Sequence, residues 1–150
     1  MPETATTLVA ELVRKTGQAR IRAMGTSMVP TIWPGDELLI QNAAGPLRRG
    51  QVVAWQNDQR IFIHRVVEAT DDQGTTLTRG DRLHVDDPLF RPEQLIGVVT
   101  HVIRDEVATA IAPGLSQRAR LLRLISRVSD WPAFLLIRLR GGLRVLRAGT

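Results

Sequence analysis

Apolar residues recur along this chain with two different spacings, and the changes of spacing divide it into three parts. From Thr4 to Lys15, Ala5, Leu8, Val9, Leu12 and Val13 return every three or four positions, the repeat that lines one face of an α-helix. Thr and Glu stand near its start and Gly17 just past its end, so a short amphipathic helix is expected within 1–17. From 18 to 113 the apolar positions gather into short runs: DELLIQ, QVVAWQ, RIFIHRVVEA, TTLTRG and QLIGVVTHVI. They are separated by Pro34-Gly35-Asp36, Gly45-Pro46, Asp71-Asp72-Gln73-Gly74 and Asp86-Asp87-Pro88. Such runs, with turn chemistry and no helical stretch between them, predict an antiparallel β domain.

Past Pro113-Gly114 the helical spacing returns. Leu121, Leu122, Leu124, Ile125 and Val128 share one face, opposite Arg120, Arg123 and Arg127. Trp131-Pro132 interrupts the pattern. Leu135, Leu136, Leu139, Leu143 and Leu146 then form a second stripe, weakened by Gly141-Gly142. Residues 114–150 are thus expected to be a basic amphipathic helical tail. The chain shows no internal repeat and no low-complexity tract.

A length of 150 residues, 43% of them apolar, suits one domain with a single core. The formal charge of +5 conceals an asymmetry. From Ser116 onward eight arginines stand against one acid, Asp130, for +7; by subtraction the rest carries −2. A neutral-to-acidic body with a basic tail points to an anionic lipid surface, to nucleic acid, or to a solvated helix face. The tail is Leu-rich and poor in aromatics, so lipid suits it better than bases, and nucleic acid is not expected as a partner. Cysteine is absent, which removes disulfides, thiolate zinc sites and cysteine nucleophiles. The opening residues lack a basic segment followed by a long apolar run, so no secretory leader is expected. No stretch approaches the ~20 apolar residues of a membrane span. The expected location is cytoplasmic, with peripheral membrane contact at most.

Three segments carry candidate chemistry. In Gly25-Thr26-Ser27-Met28-Val29-Pro30-Thr31, Ser27 sits in a loop where Gly25 would allow a close approach and Pro30 would fix the backbone, as aiming a nucleophile requires. By itself it also reads as an ordinary loop serine. In Ile61-Phe62-Ile63-His64-Arg65-Val66-Val67, strand alternation puts His64 on one face with Phe62 and Val66. Histidine is the side chain suited to proton transfer near neutrality, although a histidine bonded to a backbone carbonyl would look the same. In TRGDRLHVDDP, residues 78–88, Asp81, Asp86 and Asp87 offer a carboxylate to orient an imidazole, or serve only as turn residues. The chain order Ser, His, Asp differs from that of the three familiar hydrolase triads.

Taken in order, GTSMVPT with Gly35-Asp36, then Arg49-Gly50-Gln51-Val52-Val53, then His64-Arg65-Val66-Val67, then TRGDRLHVDD resemble the boxes of type I signal peptidases. The similar branch is the endoplasmic-reticulum and archaeal one, which uses histidine where bacterial enzymes use lysine. Its boxes read approximately GSMxP, RGD, HRV and TKGDNNxxDD. The resemblance spans residues 23–103. It implies a β-rich fold of small coiled sheets, shared with self-cleaving repressors, and a serine endopeptidase acting on a protein or peptide substrate with no metal or cofactor. It makes Ser27 the nucleophile, His64 the general base, Asp87 the acid that orients His64, and Asp81 a second supporting acid. Gly25, Thr26, Met28 and Pro30 would form the substrate and oxyanion region. Gln51 replaces the family's usual Asp, and Arg82-Leu83 replaces two small polar residues. Gly25 stands where many bacterial relatives carry an oxyanion-binding serine, which leaves backbone N–H groups and the Thr26 hydroxyl for that task.

Three other readings share these residues. A self-cleaving peptidase of the repressor type would carry a lysine base and an N-terminal DNA-binding domain, but only 26 residues precede Ser27. A non-catalytic module on the same fold would dock on a membrane through the arginine tail. His64, His84 and Asp87 would form a metal site in the third.

Overall fold

The computed structural model describes residues 3–114. The tail expected at 114–150 lies outside the described residues from 115 onward. Helix α1 spans Glu3–Thr16. It ends where Gly17 turns to φ +82°, a conformation that costs glycine little, and donates its N–H to the Val13 carbonyl at 2.8 Å. The face turned to the core differs from the expected stripe. Val13 is fully buried with Val9 and Ala10 beside it, whereas Leu8 and Leu12 are exposed. Thr6 decides this rotation. It is buried, and its hydroxyl donates to the Gln59 carbonyl, tying the helix to the turn after β3.

Seven strands follow: β1 (Gln18–Arg22), β2 (Glu37–Gln41), β3 (Val52–Asn57), β4 (Arg60–Glu68), β5 (Leu77–Arg79), β6 (Leu95–Arg104) and β7 (Val107–Ala110). All pair antiparallel, in the order β1-β2-β6-β3-β4-β5, with β7 added beside β6. The fold is therefore mainly β with one short N-terminal helix, and among the described residues no helix is long and apolar enough to cross a membrane. β1 and β7 are not among the apolar runs of the sequence. β1 alternates arginines with Ala19 and Ile21, which pack on the core, and β7 is exposed throughout, so neither forms a continuous apolar run.

β3 is the central strand, and both its faces are covered. Val52 and Ala54 enter a core with Val13, Ile40, Ile96 and Val99, while Val53 and Trp55 enter a second core with Leu47, Val66 and Phe90. Two buried faces explain why β3 reads as continuous apolar sequence instead of alternation. In the second core, Trp55 is stacked between Phe62 and Phe90, at 4.7 and 4.9 Å between ring centroids. Phe62 then meets the His64 ring edge-on at 5.9 Å, so this stack reaches the imidazole. The turn between β4 and β5 is closed by Asp71. Its carboxylate accepts the Thr75 hydroxyl and the N–H groups of Thr75 and Gln73, which hold it below the usual carboxylate range.

Candidate active site

Ser27 lies in the loop between β1 and β2. The loop is closed at its base by Ala23 N–H to the Asp36 carbonyl and Gly35 N–H to the Ala23 carbonyl, at 2.8 and 2.7 Å. Met28, Val29 and Ile32 sink into the protein on one side of it. Asp36, with no exposed surface, accepts the Trp33 N–H and a bidentate pair from Arg104, which also donates to the Thr31 carbonyl. The serine thus rides on a short loop fixed at both ends.

His64 comes from β4, where alternation places it with Phe62 and Val66 toward the second core. Its Nε2 is 2.8 Å from Ser27 Oγ, and its Nδ1 is 2.6 Å from Asp87 Oδ2. The His64 and Asp87 side chains are both more than nine-tenths buried. Thr78, fully buried on β5, donates its hydroxyl to the same Asp87 oxygen at 2.7 Å, and its carbonyl accepts the Asp87 N–H at 2.9 Å. With Asp87 on Nδ1, the neutral imidazole carries its proton there and presents a free lone pair at Nε2 toward Ser27. The arrangement can take the serine proton and stabilise the charge this creates on the ring.

Asp81 takes a different place from Asp87. It does not reach His64; its carboxylate receives Arg65 Nε and Nη2, both at 2.8 Å, and the Thr31 hydroxyl. Arg65 also donates to the carbonyls of Gly50 and Ala112. One buried ion pair thereby joins β4, the loop before β3, the end of β7 and the serine loop. Asp86 pairs with Arg79 at the surface. His84 is exposed, and among the described residues no three histidine or acidic side chains converge to hold a metal.

The close approach expected at Gly25 occurs elsewhere. A Cβ on Gly25 would meet open space, whereas one on Gly80 would lie 2.7 Å from the Ser27 carbonyl oxygen and 3.0 Å from Ser27 Cβ. Gly80 and Arg82 two residues on, whose N–H donates to the Ser27 carbonyl at 2.9 Å, support Ser27 from behind. Gly80→Ala is expected to shift Ser27 and cost on the order of 100-fold in rate with little change in apparent substrate affinity. Steady-state kinetics on a peptide substrate checks this.

Around the site, Gly25 and Met28 line a cleft of about 480 Å³ that begins at Ser27 and His64 and runs between the end of β1 and the start of β4. Pro30 instead borders a separate groove with Thr31 and Arg104. The Thr26 hydroxyl accepts a hydrogen bond from Arg82 Nη1 at 3.4 Å, and Met28 Sδ accepts the Asp81 N–H. Sequence reasoning missed Thr78, Gly80, Arg65 and Arg82 as supports of the site. All four lie inside the motifs it quoted, but nothing in their spacing says what each would touch. Compared with known proteins, the chain matches no family model and no curated protein.

Proposed function

We propose that this chain is a serine endopeptidase with the chemistry of the histidine-type signal peptidases, built on a fold of that family. One observation carries the reading: Ser27, His64 and Asp87, distant in sequence, form an unbroken hydrogen-bonded series of 2.8 and 2.6 Å at the end of a cleft. In this reading His64 takes the Ser27 proton as Oγ attacks the scissile carbonyl. Asp87, steadied by Thr78, balances the imidazolium. Backbone N–H groups beside Ser27 receive the oxyanion. The imidazolium then protonates the leaving amine, and water, activated by the same base, releases the acyl group.

The cleft also suggests how a substrate lies. β1 pairs only with β2, and β4 pairs with β5 only from Arg65 onward, so the stretches flanking the cleft each leave one backbone edge unpaired among the described strands. An extended peptide can bond to such an edge, which suits endopeptidase action on an unfolded segment. Contact of the arginine tail, 116–147, with anionic lipid belongs to the same proposal on sequence grounds alone. Incubation of the full chain with a library of unstructured peptides, read by mass spectrometry, tests the reading. Internal cleavage that stops after treatment with a fluorophosphonate supports it, and intact peptides with an unlabelled Ser27 refute it.

A further inference from the structure

The walls of the cleft carry a charge pattern that the proposed chemistry does not use. Its floor is apolar, with Ile21, Ile61, Ile63 and Ile32. Two guanidiniums stand at its rim, Arg22 at the end of β1 and Arg60 at the start of β4, and no carboxylate is among the residues that line it. Both arginines are exposed, and neither has an ion-pair partner among the described residues. Glu37 lies opposite Arg22 in the strand register, but its carboxylate is directed to Arg20 at 3.8 Å. Two unneutralised cations over a narrow apolar cleft concentrate positive potential along it.

Resting on the peptidase reading above, we infer that this cleft selects extended peptides with an acidic side chain about four residues from the scissile bond. Distance follows from the strand. Arg60 precedes His64 by four residues and shares its face, so a peptide lying along β4 at ~3.3 Å per residue brings its fourth residue from the reacting carbonyl to about 13 Å, level with Arg60. Alternation puts that residue on the same face as the side chain at the bond. Of the residues between them, the two on the alternate face meet the isoleucine floor, which favours apolar side chains there. Arg22, at the end of β1, adds a second positive charge to the lining of the same cleft.

The test uses the full chain and a peptide library with every position randomised, its cleavage products sequenced by mass spectrometry. Asp or Glu four residues along from the residue that carries the reacting carbonyl is expected to be favoured over Lys roughly tenfold, the product of two exposed ion pairs. That preference should shrink as salt is raised. In the double variant Arg22→Glu, Arg60→Glu the order should invert in favour of Lys. Equal use of Asp, Gln and Lys by an enzyme that still cleaves overturns the inference and leaves the peptidase reading standing. So does an acidic preference that the double variant retains. No cleavage, together with no fluorophosphonate on Ser27, overturns both.

Discussion

Ser27→Ala and His64→Ala are each expected to lower kcat for peptide cleavage on the order of 10⁶-fold, and the double variant is expected to be no slower than either. The reason is the shared bond. Ser27 Oγ and His64 Nε2 are 2.8 Å apart, and in the proposed mechanism neither acts without the other. Asp87→Asn should fall by about 10⁴-fold, because the amide leaves the imidazole in the wrong tautomer and cannot balance its charge. It should still exceed the Ser27→Ala floor. Single-turnover cleavage measures the rates, and circular dichroism verifies that each variant is folded. Wild-type cleavage by Ser27→Ala would remove the nucleophile from the proposal, and additive losses in the double variant would show that the two residues do not act as a unit.

Asp81→Ala is expected to lower stability by about 3–5 kcal/mol, because it strands the buried Arg65 guanidinium without its carboxylate. Asp81 is 1% exposed at its side chain and Arg65 8%, so water can replace little of the lost interaction. The loss should appear as a fall of about 10 °C in Tm. Its kinetic signature distinguishes bracing from chemistry. Asp81 touches Arg65 and Thr31 and not His64. The fraction of Asp81→Ala that remains folded at low temperature should therefore keep the pH profile of the parent, with a lower kcat from the loosened serine loop. A changed pH profile at full stability would instead assign Asp81 to proton transfer.

Much of the fold was legible because burial writes a period into sequence. The five apolar runs became β2 to β6, and Gly17 ended α1 where its freedom at positive φ is needed. Elements escaped notice where they form no continuous apolar run. β7 buries no side chain, and β1 buries only Ala19 well. The helix face was misjudged for a related reason. Leu8 and Leu12 have the right spacing, but the long-range bond from Thr6 to Gln59 and the packing of Val13 turned them outward.

At the site, residue types and their order offered Ser27, His64 and the aspartates as candidates, and the resemblance of the boxes to those of a peptidase family singled out Ser27, His64 and Asp87. Type and spacing alone left Asp81 and Asp87 open, and it was the resemblance of the boxes that pointed to Asp87. Both are aspartates in one loop, and what separates them is which buried cation faces each: Arg65 takes Asp81, leaving Asp87 for the imidazole. The same holds for Gly25 and Gly80, since a glycine's necessity depends on the atom that would meet its Cβ, and that atom arrives from a segment about fifty residues away. The sequence by itself determined which elements form and which chemistry the chain can offer, since local spacing and side-chain type are properties of neighbours along the chain. Only the tertiary structure decided which groups meet, at what distance, and where a cleft opens with two arginines at its rim, because distances of 2.6 to 2.8 Å are set by packing between strands.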